Sequence, residues 1–151
     1  SDVYKRQHKK NTKKDALKKA KEVLDIVKLP RIENLLKKYP HELSGGMRQR
    51  VMIGISLMCD PLFIIADEPT TALDVTTQKE ILKIFNDLKK YKDITIALIS
   101  HDIGVISEVS DTILIMNEGR IIEKGNCKEV LTSPKHEYTK HLLSCVPEWM
   151  K

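Results

Sequence analysis

The sequence is poor in the features that mark membrane-spanning, disulfide-rich and zinc-binding proteins. Its apolar runs, of which Leu62–Ala66 is typical, are far shorter than the roughly 20 residues that cross a bilayer. Its cysteines, Cys59, Cys127 and Cys145, are odd in number and have no CxxC spacing, which indicates neither a disulfide framework nor a zinc site. Incidental thiols in a reducing cytoplasm fit this usage best.

Basic residues are in excess only over the first 40 residues. Residues 1–40 contain 13 Lys+Arg and 5 Asp+Glu, whereas the other 111 residues contain 13 and 16. A basic end suggests an anionic partner, but lysines spread along a helix also form an ordinary solvated face, so both interpretations stay open. With 151 residues, 41% of them apolar, the chain is long enough to bury a single core.

The residue pattern predicts strands that alternate with helices. Helices are predicted over 12–28, 32–38, 47–58, 75–90, 102–109, 128–131 and 138–143, and strands over 62–66, 94–99, 112–116 and 120–122. The runs 62–66 and 94–99 are continuously apolar, which predicts strands buried on both faces. The residues predicted to face the core are Ile81, Leu82, Phe85 and Leu88 in one helix, and Val51, Ile55 and Met58 in another, where Ile53, Leu57 and Cys59 widen the apolar surface. This alternation favours an α/β fold with a parallel sheet.

Two adjacent acids follow the first apolar strand. Asp67 and Glu68 would stand at the carboxyl end of strand 62–66, the edge at which α/β sheets bind ligands. One carboxylate can hold Mg²⁺ through its water shell, and the other can orient or deprotonate a water that attacks a γ-phosphate. By themselves the two acids could equally be a turn or a helix cap.

A glycine turn opens the helix before that strand. Gly45 and Gly46 allow a close approach to an anion at a helix N-terminus, and Ser44 adds a hydroxyl. A plain serine-capped helix start is the alternative. Two further residues are ambiguous in the same way: His101 could donate to a phosphate oxygen or be structural, and Asp74 could be the N-cap of the next helix.

As an ordered series these motifs resemble those of ATP-binding-cassette (ABC) ATPases. The series is Leu-Ser-Gly-Gly at 43–46, Asp-Glu-Pro-Thr at 67–70, Ala-Leu-Asp at 72–74 and Ser-His-Asp at 100–102. The resemblance covers about residues 8–148. It implies a P-loop NTPase-type parallel sheet with a small α-helical subdomain, and ATP and Mg²⁺ as cofactors.

The resemblance also assigns roles to residues. Asp67 matches the Walker B aspartate that holds Mg²⁺ through water, Glu68 the catalytic glutamate, and His101 the switch histidine on the γ-phosphate. Asp74 lies in the D-loop, which crosses the dimer interface, and is expected to be a nucleotide-binding residue. The signature residues would contact ATP held by the opposite subunit of a head-to-tail dimer; they are Ser44, Gly45, Gly46 and Met47.

Details outside the core motifs are similar to oligopeptide and dipeptide importers. These are Tyr-Pro-His-Glu at 39–42, Met47 in place of the commoner glutamine, the segment from Ala66 to Thr76, and the segment from Ser133 to Leu143. The similarity implies ATP-driven peptide import at the cytoplasmic face of the cell membrane, with two permease subunits, an extracytoplasmic binding protein and no nucleic acid as partner. Nickel import, DNA repair or translation, and an inactive regulatory protein are the alternatives.

The expected phosphate loop, GxxxxGK[ST], does not occur in the sequence, and neither does the Q-loop glutamine. We therefore expect an N-terminally truncated fragment whose sheet lacks its central strand and which alone is inactive. Residues 1–7 match no pattern and are interpreted as non-native. The predicted divisions are a helical subdomain at 8–43, the carboxyl part of the ATPase core at 44–132 and an importer-type extension at 133–151.

Overall fold

The computed structural model describes residues 12–92 and 94–145, so the predictions for residues 1–7 lie outside the described chain. The helices are α1 (Lys13–Ile26), α2 (Ile32–Leu35), α3 (Gly45–Leu57), α4 (Val75–Lys92), α5 (Ile103–Val109), α6 (Cys127–Thr132) and α7 (Glu137–Ser144), with a 3₁₀ turn at Pro40–Glu42. The strands are β1 (Phe63–Asp67), β2 (Thr95–Ile99), β3 (Thr112–Asn117) and β4 (Arg120–Asn126). The chain divides into two compact units, one ending at Ala97 and the other beginning at Leu98.

The first unit contains α1 to α4, β1 and the first part of β2. Helix α1 begins at Thr12 with a capping box, in which the Thr12 hydroxyl accepts from the Asp15 N–H and the Asp15 carboxylate accepts from the Thr12 N–H. Strand β1 pairs with β2, and α4 is the crossover between them in the parallel sheet. The inward face of α4 is as predicted, since Ile81, Leu82, Phe85 and Leu88 are all buried.

The predicted inward face of α3 is correct at Met58, which is buried, and wrong at Ile55. Ile55 is exposed, whereas Ile53, Gly54 and Leu57 are buried. The reason is Gly54: a Cβ built there would lie 3.3 Å from Cγ1 of Val23, so α1 packs directly on the bare backbone of α3 at this point. This close approach turns the face with Ile53, Gly54 and Leu57 toward the core and leaves Ile55 facing solvent.

The prediction that the strands at 62–66 and 94–99 are buried on both faces is wrong. In β1 only Ile64 is buried, while Phe63 and Ile65 are more than half exposed. In β2, Ile99 is 52% exposed. Successive side chains of a strand point to opposite faces, so in the described chain only one face of β1 is covered by helices.

The second unit is built around the antiparallel pair β3–β4. Its register runs from Thr112 opposite Asn126 to Asn117 opposite Arg120, and the turn uses Gly119 at φ +75°. Strand β4 is longer than predicted because the ladder continues through Glu123 to Asn126, past an irregularity at Ile115/Met116. The core lies under α5 and α6 and contains Ile106, Ile113, Ile115, Cys127 and Val130.

Strand β4 also anchors the segment that leads into α7. The Glu123 carboxylate accepts hydrogen bonds from the backbone N–H groups of Lys135 at 2.8 Å and His136 at 3.1 Å. The Lys135 N–H is the main reason that the pKa of Glu123 lies below its ordinary value. No helix in the described part of the chain is both long enough and apolar enough to span a bilayer.

Candidate nucleotide and catalytic site

The signature turn is a serine-capped helix start. Ser44 has extended backbone angles, and its Oγ accepts from the N–H of Met47 at 3.3 Å. Ser44 and Gly45 are exposed, and the unpaired N–H groups of the first turn of α3 carry the positive end of the helix dipole. The turn therefore has the geometry and charge that suit a phosphate oxygen.

Gly46 packs against the first turn of α4. A Cβ built on Gly46 would overlap the Cγ2 methyl of Thr77. Thr77 is not free to turn away, because its hydroxyl donates to the Asp74 carboxylate at 2.8 Å. The structure thus brings together the predicted signature and the start of the helix that follows the predicted D-loop.

Replacing Gly46 by Ala is expected to destabilise the chain by about 1–3 kcal/mol, the usual cost of forcing an extra carbon into a packed contact. Gly45→Ala is the matched control. A Cβ there meets only Leu73 Cδ2, at an ordinary 3.6 Å. Urea unfolding of both variants measures the difference. Equal stability of the two variants would contradict the packing of Gly46 on Thr77.

The two predicted acids stand in a strained turn at the end of β1. Asp67 is the last residue of the strand and is exposed. Glu68 has φ +46°, in the left-handed region that costs a non-glycine residue energy. Its Oε2 accepts from the Thr71 hydroxyl at 2.9 Å. The turn thus holds the Glu68 side chain in one orientation beside Asp67.

Asp74 is the N-terminal cap of α4. Its carboxylate accepts from the Thr77 N–H at 2.9 Å as well as from the Thr77 hydroxyl. Both bonds favour the charged form, so the pKa of Asp74 lies below its ordinary value, with the backbone bond as the larger cause. The carboxylate is therefore committed to holding the start of α4.

The lowered pKa predicts a pH-dependent contribution of Asp74 to stability. A carboxyl group with a depressed folded pKa stabilises the protein above its unfolded pKa, near 3.9, and this is lost as the pH falls through the folded pKa. Asp74→Asn keeps an oxygen for the Thr77 N–H but removes the charge. We expect the variant to melt below the parent chain at pH 7 and the difference to vanish toward pH 2. A difference that does not change with pH would contradict the assignment.

His101 lies in the second unit, two residues after the end of β2. It is exposed and precedes Asp102, whose Oδ1 caps α5 by accepting from the N–H groups of Gly104 at 2.8 Å and Val105 at 3.3 Å. The Asp102 N–H in turn bonds to the Ser100 hydroxyl at 3.1 Å. The backbone on both sides of His101 is thereby fixed.

The donor set at the end of β1 fits magnesium bound with phosphate. Among the described residues no group of three or more His, Cys, Asp or Glu side chains could form a metal cage. Mg²⁺ bound with a nucleotide needs only one or two carboxylates, because phosphate oxygens and waters complete its shell. Asp67, an exposed carboxylate at a strand end, meets that requirement.

Two site residues were missed in the sequence. Thr71 holds the Glu68 carboxylate, and Thr77 contacts both Gly46 and Asp74. Each threonine lies three residues after its acid, a spacing at which a hydroxyl reaches back to a carboxylate in a turn or at a helix start. That spacing is the signal that could have found them.

Comparison with known proteins gives consistent results. The family model described as "ABC transporter" matches residues 2–71. The chain is 45% identical over 143 residues to the glutathione import ATP-binding protein GsiA of Escherichia coli K12, covering 95% of this chain and 23% of GsiA. It is 46% identical over 140 residues to the dipeptide transport ATP-binding protein DppD of Bacillus subtilis 168, covering 93% of this chain and 42% of DppD. The chain thus spans less than half the length of these relatives.

Solved structures support the same grouping. The dimeric bacterial ABC transporter cassette MJ0796 matches with a TM-score of 0.67 and 29% identity, over 78% of this chain and 49% of that one. A structure of the same cassette with ADP and Pi bound matches equally well. The fold is therefore the α/β fold of P-loop NTPases. Within that class, the chain belongs to the ABC transporter ATPase family.

Proposed function

We propose that the chain is part of the ATP-hydrolysing subunit of a peptide importer. The observation that carries this proposal is the placement of Asp67 and Glu68. An exposed carboxylate at a strand end is followed by a second one that a strained turn and Thr71 hold in place. Asp67 would bind the Mg²⁺ of a bound ATP through water, and Glu68 would orient and deprotonate the attacking water.

The signature turn would serve a different ATP molecule. In a head-to-tail dimer, Ser44, Gly45, Gly46 and Met47 would contact the γ-phosphate of ATP held by the partner subunit. The exposed, dipole-bearing start of α3 supports this role, as does its contact with the start of α4. Asp74 would act through its cap on α4, and His101 would reach the γ-phosphate of the subunit's own ATP.

The names of two relatives support a peptide cargo: GsiA is named for glutathione import and DppD for dipeptide transport. Two permease subunits and an extracytoplasmic binding protein would complete the transporter, with this subunit at the cytoplasmic face of the membrane. Nickel import by the same type of machine is the alternative cargo.

Two chimeras test the proposal. In the cassette chimera, residues 12–145 of this chain replace the matching segment of MJ0796. In the importer chimera they replace the matching segment of DppD. We expect the cassette chimera to hydrolyse ATP in the presence of Mg²⁺, and the importer chimera to restore growth on a dipeptide to B. subtilis cells that lack DppD.

The outcomes separate the two parts of the proposal. A folded, dimeric cassette chimera without ATP turnover would contradict the assignment of catalysis. Turnover by the cassette chimera, together with an importer chimera that is produced but does not restore growth, would contradict the peptide cargo. Nickel uptake by the importer chimera would then favour the alternative.

A further inference from the structure

Arg50, on α3, connects three segments of the first unit. One guanidinium nitrogen, Nη1, donates to the carbonyl oxygen of Lys28 at 2.9 Å, and the other, Nη2, forms an ion pair with Glu80 on α4. The side chain is only 13% exposed. Its Nε is buried without a hydrogen-bond partner among the described residues. Burying a charged guanidinium costs free energy, so the two contacts that Arg50 makes must compensate for the lost hydration.

The first contact holds the turn that ends α1. Lys28 adopts φ +57°, and the N–H groups of Lys28 and Leu29 bond back to Asp25 at 2.9 Å and Leu24 at 3.1 Å. This is a Schellman ending with lysine in the position that favours glycine. The Lys28 carbonyl lies beyond the helical ladder, and Arg50 supplies its donor.

The second contact continues the packing of α3 on α4. Gly46 meets Thr77, and one turn further along both helices Arg50 meets Glu80. Residues three or four apart lie on one helix face, so the two pairs form a single row of contacts. Near one end of this row is the signature turn, and near the other is the link to α1.

We propose that Arg50 is a positioning residue that fixes the signature turn relative to the start of α4 and to the turn that ends α1 at Lys28. A movement of α1 would thereby be transmitted to the signature turn and to α4. The catalytic meaning of this link rests on the proposed function, whereas the link itself does not.

The chemistry of the side chain explains why arginine is needed. A planar guanidinium presents donors in two fixed directions and can bond to a carbonyl and a carboxylate at once. A lysine ammonium is a point charge at the end of a flexible stem and can hold neither partner in a fixed direction. Arg50→Lys therefore keeps the charge but is expected to break the link.

Amide hydrogen exchange in the full 151-residue chain tests the link. The amides of Leu29 and Gln78, which bond to Leu24 at 3.1 Å and Asp74 at 2.8 Å, report on the two connected turns. In Arg50→Lys we expect both to exchange about tenfold faster, the effect of losing one charge-assisted hydrogen bond. Glu80→Ala should accelerate Gln78 alone. It also keeps the test available if Arg50→Lys fails to fold.

The control is Lys21→Gln, which breaks the exposed ion pair between Lys21 and Glu33 on the same unit. It should leave Gln78 unchanged. The link would be disproved if Arg50→Lys left either amide unaffected, or if exchange rose equally throughout the first unit. Equal acceleration of Leu29 and Gln78 by Glu80→Ala would also disprove it.

A kinetic measurement tests the positioning role. In the cassette chimera, Arg50→Lys should lower kcat for ATP about tenfold with KM unchanged, because Arg50 would not touch the nucleotide. A raised KM with unchanged kcat would overturn the role. If the unsubstituted chimera lacks turnover, the proposed function fails while the exchange experiment still decides the link.

Discussion

Replacing Glu68 by Gln in the cassette chimera is expected to lower ATP turnover by about 10²–10⁴-fold, the usual contribution of a general base. Gln is nearly isosteric, and its amide oxygen can still accept from the Thr71 hydroxyl that holds Glu68. The variant therefore removes the charge and the basicity without releasing the side chain. ATP binding should persist, so a nucleotide-loaded dimer is expected to accumulate.

Glu118→Gln is the matched control for this substitution. Glu118 has φ +48°, close to the +46° of Glu68, and is exposed in the turn between β3 and β4. Both variants therefore lose the same charge from the same backbone conformation. A Glu68→Gln variant that turns over ATP as fast as Glu118→Gln would show that Glu68 is not the base.

The second large effect concerns stability. Phe85 on α4 is fully buried, and its truncation to Ala is expected to cost about 3–5 kcal/mol of unfolding free energy. The buried neighbours Leu82 and Leu88 lie on the same helix face and cannot fill the cavity without moving α4. Urea unfolding of the full chain measures the loss.

The sequence offers a matched control for this prediction as well. Its other phenylalanine, Phe63 on β1, is 53% exposed. Phe63→Ala is expected to change the stability of the chain by less than about 1 kcal/mol, as surface substitutions usually do. Similar losses for the two variants would contradict the assignment of Phe85 to the core and of Phe63 to the uncovered face of β1.

Features with a local cause were predictable from the sequence. The helices predicted over 12–28 and 102–109 are present, and the side chains of Thr12 and Asp102 cap them by accepting from backbone N–H groups two or three residues away. The start of α3 differs from its predicted start by two residues, because the glycines after Ser44 are already helical. The inward face of α4 was predictable because its apolar residues recur with the period of a helix.

Features that depend on which elements meet were not predictable. Ile55 faces solvent because Val23 of α1 approaches Gly54, and nothing in the sequence around either residue predicts that these two meet. The same holds for the contact of Gly46 with Thr77 and for the ion pair of Arg50 with Glu80, since each joins residues on different helices. The motifs predict a set of site residues, but they do not predict which neighbouring residues support that set.

The measurement that tests the account most directly uses mixed dimers of the cassette chimera. One subunit carries Ser44→Arg, and the other carries Glu68→Gln. If each signature turn serves the partner's ATP, one site of the mixed dimer combines an intact Glu68 with the partner's intact Ser44, and ATP turnover persists. Homodimers of the Ser44→Arg variant, of the Glu68→Gln variant, and of a chain that carries both substitutions are expected to be inactive. A mixed dimer without turnover would contradict the account, because it would mean that Ser44 and Glu68 act on the same ATP.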